Sequence, residues 1–174
     1  ATLTLVKTVT NDNGGTAVAT AWTLGADGPT DISGASGAPA VTDAAVNAGT
    51  YTLSETGGPA GYTAGAWACT GGGTLTGDSL VLAGGEDVTC TINNDDRAAT
   101  LTLVKTVTND NGGTAVATAW TLGADGPTDI SGASGAPAVT DAAVNAGTYT
   151  LSETGGPAGY TAGAWACTGG GTLT

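Results

Sequence analysis

Residues 1–76 recur without a single change as residues 99–174, a period of 98. Solenoid repeats run about 20 to 50 residues, whereas a unit of this length is a small domain in its own right. The chain therefore reads as two tandem domains: residues 1–98 form a complete repeat, and residues 99–174 form an identical copy that stops before the counterparts of residues 77–98. Joined through the short segment 95–98, such units are expected to form an extended row with at most a small interface between neighbours. The open edge of the shorter copy is expected to be exposed, unfolded or paired with another chain.

Within one unit the apolar residues alternate with a period of two, and no segment carries a capped helical period. Residues 2–10 alternate strictly and end in Asn11-Asp12-Asn13-Gly14-Gly15, a turn cluster. Residues 16–24 read as a second strand, paired with the first as a hairpin. Residues 25–38 read as a long loop with a short strand near Ile32, and residues 39–46 as two short strands divided near Asp43. Further strands are expected over residues 50–55, 62–69, 79–83 and 87–93. Seven to eight short strands bounded by glycine-rich turns predict an all-β fold, a tandem array of Ig-like β-sandwiches.

Three basic residues stand against fifteen acidic ones, a formal net charge of −12. No basic patch exists to neutralise phosphates, so neither nucleic acid nor an anionic membrane surface is an expected partner. An array of such units repels itself and stays extended. No transmembrane run is present, and a segment of this kind has no membrane insertion. The chain lacks histidine and shows no paired-carboxylate motif, which sets a hydrolase aside. No cofactor is expected.

Period-two reading gives each strand a face. Leu3, Leu5 and Lys7 share one, Tyr51, Leu53 and Glu55 another, and Val88, Cys90, Ile92 and Asn94 a third. Each carries one polar residue at the end of an apolar run, which places Lys7, Glu55 and Asn94 together at one end of the core. The opposite faces are rich in threonine.

At these residues the sequence resembles a family. Tyr51-Thr52-Leu53-Ser54-Glu55-Thr56, followed by Pro59-Ala60-Gly61-Tyr62, is similar to the signature of Cna B-type, or SpaA-like, prealbumin-like-fold repeat domains of bacterial surface adhesins and pilins. The resemblance covers the whole unit. It implies that Lys7, ending the first strand, and Asn94, ending the last, are joined by an intramolecular isopeptide bond promoted by Glu55, with Lys105 and Glu153 as the copies. Chemistry explains these residue types. Desolvation lowers a lysine pKa and leaves a nucleophilic amine, while a carboxyl in the same dry site is held protonated and can donate to the asparagine carbonyl and pass a proton to departing ammonia. This is a single autocatalytic event, so the chain is not an enzyme. The plainer alternative is that the three residues mark strand ends reaching solvent, with a Lys7–Glu55 ion pair of about 0 to 1 kcal/mol. The sequence departs from the family in its two cysteines per unit and in the doubled Asn93-Asn94.

Cys69 shares a face with Trp67 and Cys90 with Ile92, so both can point inward as a disulfide with Cα atoms about 4.4 to 6.8 Å apart. A metal site or two free thiols are the alternatives, and the lack of histidine and of any CxxC pairing disfavours metal. Cys167 repeats Cys69, and no counterpart of Cys90 follows it in the sequence. A disulfide implies an extracellular or cell-surface location. Asp12, Asp95 and Asp96 are weak calcium candidates, since the loop at Asp12 lacks the later glutamate of a calcium-binding hand; a plain turn is the bland reading. The expected function is a structural repeat of an extracellular bacterial stalk, adhesin or fibre, stabilised by cross-links within each domain. Its partners are then neighbouring repeats and other copies in a fibre. The alternative is a ligand-binding module for ice, carbohydrate or host protein, which requires an exposed aromatic row or a flat threonine patch.

Overall fold

A computed structural model describes residues 1–174, which divide into two compact units, Ala1–Arg97 and Ala98–Thr174. The first unit is a sandwich of two five-stranded sheets. One sheet contains β1 (Thr2–Thr10), β4 (Ala44–Ala45), β6 (Tyr62–Ala64), β7 (Ala68–Thr70) and β10 (Asp87–Asp96). The other contains β2 (Trp22–Asp27), β3 (Ile32–Gly34), β5 (Gly49–Gly57), β8 (Thr74–Thr76) and β9 (Ser79–Leu82). The orders are β4-β1-β10-β6, with β7 also paired to β10, and β3-β2-β5-β9-β8. The pairing of β1 with β10 is parallel and runs from Thr2 beside Asp87 to Thr10 beside Asp95. The other pairings within this unit are antiparallel.

Alternation builds the core. Leu3 and Leu5 of β1 and Val88, Cys90 and Ile92 of β10 meet Leu24, Ala26, Tyr51, Leu53, Leu80 and Leu82 from the facing sheet, all buried. Each fully buried leucine contributes about 1.5 to 3 kcal/mol relative to exposure.

The first hairpin is not formed. The alternating Trp22, Leu24 and Ala26 belong to the second sheet, so the chain must cross from one layer to the other. Residues 11–21 make that crossing, ending in a 3-10 turn at Ala19–Ala21 with Val18 exposed. Residues 39–46 hold one strand rather than two. Pro39 opens a 3-10 turn, Pro39–Val41, which drives Val41 into the core, and Asp43 then adopts a φ of 48° before β4. The expected strand over residues 62–69 divides into β6 and β7, and Trp67 between them is buried. The strand β8 was absent from the sequence reading. It forms because Leu75 packs on the core and pairs with Leu80 of β9. The unit thus has ten strands in place of seven or eight.

In the second unit the same sequence gives β11 (Ala99–Leu101), β12 (Trp120–Asp125), β13 (Ile130–Gly132), β14 (Ala142–Val144) and β15 (Thr150–Gly155). The β13-β12-β15 sheet keeps the register of β3-β2-β5, with Trp120 beside Gly155 as Trp22 is beside Gly57. Residues 102–108 form no strand, although the identical residues 4–10 do. Residues 99–174 contain no counterpart of β10, so the ladder that makes residues 4–10 a strand is missing, and only Leu103 N, to Val139 O, and Lys105 N, to Ser134 Oγ, keep partners there.

Candidate functional site

Lys7 is the third inward residue of β1, after Leu3 and Leu5. Its side chain is wholly buried, and its Nζ lies 2.6 Å from Oε2 of Glu55, itself 9% exposed at the side chain. Glu55 reaches it from β5 in the facing sheet, where it stands beside Leu24. Asn94, buried on β10, donates from Nδ2 to the other oxygen of Glu55, Oε1, at 2.6 Å. Three strands from two sheets therefore bring an amine, a carboxyl and a carboxamide into one dry site. This is not a set of strand ends reaching solvent, the plainer alternative raised by the sequence. The neighbouring Asn93 faces outward, accepting from Thr8 Oγ1 at 2.9 Å and donating to Thr10 Oγ1 at 3.1 Å. Of the doubled asparagines, Asn94 is the one beside Glu55.

The site is under-satisfied. Close as it is, the Lys7–Glu55 contact lacks the directionality of a hydrogen bond, and Asn94 Oδ1 is buried with no partner. Lys7 Nζ also stands 4.9 Å over the ring of Trp22. Burial pushes the Lys7 pKa below the ordinary lysine value, partly offset by the close carboxylate of Glu55. An amine with a lowered pKa, next to a carboxyl that can take its proton, is an activated nucleophile. In the second unit Lys105 donates to Glu153 at 2.7 Å and stands 4.8 Å over Trp120. There the two side chains are 14% and 19% exposed, and no asparagine joins them.

Cys69 of β7 and Cys90 of β10 stand directly opposite one another and form a disulfide. Their Cα atoms are 4.0 Å apart, just below the expected 4.4 to 6.8 Å. Cys167 is free and exposed.

Carboxylate oxygens of Asp12, Asp95 and Asp96 lie within 4.8 Å of one another. Both oxygens of Asp96 are, however, already engaged by backbone N–H groups: Asp12 donates at 2.9 Å, Asn13 at 3.0 Å and Gly15 at 2.5 Å. Burial of Asp96 pushes its pKa up, but the N–H donors of Gly15, Asn13 and Asp12 outweigh it and hold the carboxyl below the usual aspartate range. Asp96 is thereby the anchor of the turn at residues 11–15.

Sequence reasoning missed Trp22 as the platform beneath Lys7 and Asp96 as a loop anchor. A signal existed for each: Trp22 begins the alternating run with Leu24, and Asp96 follows Asn94 at the strand period of two.

No helix is long and apolar enough to cross a membrane. No curated protein matches the chain. No solved structure matches it either. A family model described as a prealbumin-like fold domain (SpaA_2) matches residues 1–92 and again residues 96–174. This is a structural domain of the pilin and adhesin type, found in bacterial surface proteins, and not an enzyme family. Matched over both copies of its repeat, the chain belongs to the SpaA-like prealbumin-like fold domain family.

Proposed function

We propose that the chain is a structural repeat of an extracellular bacterial stalk, adhesin or fibre, locked within its complete unit by two cross-links, the Cys69–Cys90 disulfide and an isopeptide bond between Lys7 and Asn94. Neighbouring repeats and other copies in a fibre are its partners. One observation carries the reading: Lys7 and Asn94 both reach Glu55 in a buried site, each of the three from a different strand. Burial of Trp22, Trp67 and Tyr51 supports the structural role over the ligand-binding alternative, since no aromatic row is presented to a ligand.

In this reaction a proton passes from the Lys7 ammonium to Glu55, which leaves a neutral amine beside a neutral carboxyl. Half a turn of the Asn94 carboxamide about its Cβ–Cγ bond brings the orphaned Oδ1 onto Glu55, which then donates to it and polarises the carbonyl. Lys7 Nζ attacks Asn94 Cγ, the Nζ–Cγ bond forms, and Glu55 carries a proton from Nζ to Nδ2. The Cγ–Nδ2 bond breaks and ammonia leaves, so atoms and charge balance without any oxidant or water. Intact mass of the unreduced full chain tests this. The expected mass is lower by one ammonia in addition to the two hydrogens of the disulfide, and Glu55→Gln restores the ammonia. A chain that shows only the disulfide loss, with Lys7 open to amine-modifying reagents once the chain is unfolded, rejects the bond.

A further inference from the structure

Asp96 is a buried carboxylate that takes part in no ion pair. Such a group is costly unless dipoles replace its water. Here the turn after β1 supplies them, through the N–H groups of Asp12, Asn13 and Gly15, and Asn13 Nδ2 closes the ring by donating to the backbone oxygen of Asp96 at 3.0 Å. Asp96 occupies the next inward position of β10 after Asn94. The turn it grips follows directly on β1, which carries Lys7. Asp96 therefore clasps the end of β10 to the end of β1 immediately beside the reacting groups.

A wall of the site belongs to the same assembly. Tyr62 Oη accepts from Ala17 N at 3.0 Å and donates to Asn11 Oδ1 at 2.5 Å, and its ring meets Trp22 edge-on at 5.4 Å. The second unit repeats this wall without any counterpart of Asp96: Ala115 N donates to Tyr160 Oη at 3.0 Å, and Trp120 meets Tyr160 at 5.4 Å. Lys105 is nevertheless partly open to solvent where Lys7 is sealed. The wall is thus intrinsic to the loop and to Tyr62. The second unit lacks the whole of β10, and in the first unit Asp96 joins the end of that strand to the loop of the wall.

We infer that Asp96 is a positioning residue for the cross-link: its clasp on residues 11–15 holds Asn94 against Glu55 and Lys7 and keeps water out while the bond forms. The inference rests on the isopeptide reading and deepens it. A misplacement of about 1 Å can cost on the order of a hundredfold in rate, so loss of the clasp should slow the reaction without removing any reacting group.

The test follows ammonia loss by intact mass over time in the full chain made by cell-free synthesis, normalised to the folded fraction. Asp96→Asn should slow the reaction by tenfold or more at a temperature where the variant stays folded. A purely structural role would leave the normalised rate unchanged. Gly15→Ala provides a second arm from the loop side, because its Cβ would collide with Tyr62 Oη and lie 2.7 Å from Asp96 Oδ2. If Asp96→Asn fails to fold, Gly15→Ala decides. In a Glu55→Gln background, amine labelling of Lys7 should be faster with either clasp variant, and its pH profile should shift toward that of ordinary lysine. Unchanged labelling and unchanged ammonia loss overturn the inference while leaving the cross-link standing. Should the parent chain lose no ammonia, the cross-link reading fails, and the labelling comparison alone then decides whether Asp96 seals the site.

Discussion

Lys7 binds fewer protons in the folded chain than in the unfolded one wherever the pH lies between its lowered pKa and the ordinary lysine value of about 10.4. In a chain kept uncross-linked by Glu55→Gln, stability should therefore rise with pH through that window, read as the urea midpoint against pH, and Lys7→Met should flatten the slope. Asp96 has the opposite sign of charge and a lowered pKa, so its contribution is complete above the ordinary aspartate range and is lost as pH falls through its folded value. Asp96→Asn should flatten the acid limb of the same curve. Period two alone put Lys7, Glu55 and Asn94 on inward faces, because side-chain direction in a strand is a local property. Period two also turns Trp22 and Asp96 inward, but their roles as platform and clasp were not legible in that way. Each depends on which loop lies beside which strand end, and a one-dimensional period does not contain that information.

At the level of strands, β1 and β10 share the core at Leu5 and Cys90, which stand side by side. Leu5→Ala should cost about 2 to 5 kcal/mol by denaturant unfolding. Thr52→Ala, exposed on the outer face of β5, should stay within about 0.5 kcal/mol. Replacing both Cys69 and Cys90 by alanine opens a bridge across a separation of 21 residues and should cost about 3 kcal/mol. Strands that alternate cleanly, β1, β5 and β10, could be read from sequence nearly to their ends. The errors fell where a chain must change layers: residues 16–21 look like a strand by composition but serve as the crossing to β2. Leu75 alone was too little alternation to reveal β8, whose existence depends on β9 as a partner. Gly58 shows how tightly such crossings are packed. Its φ is +80° and a Cβ there would strike the indole of Trp22, so Gly58→Ala should destabilise the unit by more than the roughly 1 kcal/mol of an ordinary glycine exchange.

Across the whole chain, one sequence is present in two structural settings. Amide hydrogen exchange should find residues 4–10 protected and, apart from Leu103 and Lys105, whose N–H groups donate to Val139 O and Ser134 Oγ, the identical residues 102–108 fast, since only the former have β10 as a ladder partner. The parallel sense of that ladder has a mechanical consequence. The chain enters β1 at the end where β10 begins and leaves β10 at the end where β1 stops, about 30 Å away for nine residues at roughly 3.3 Å each. A pull applied at Ala1 and Arg97 runs along both strands in opposite directions and loads the cross-strand hydrogen bonds in shear, all of them at once. Because a one-residue slip would turn every inward side chain outward, partial sliding offers no relief. Pulling from Ala1 and Asp87 instead opens the same ladder from one end, bond after bond. Force spectroscopy on a chain lacking both cross-links should therefore give a much higher rupture force for the first pair of handles than for the second. Under the first geometry the terminal strands hold as one piece until they part together.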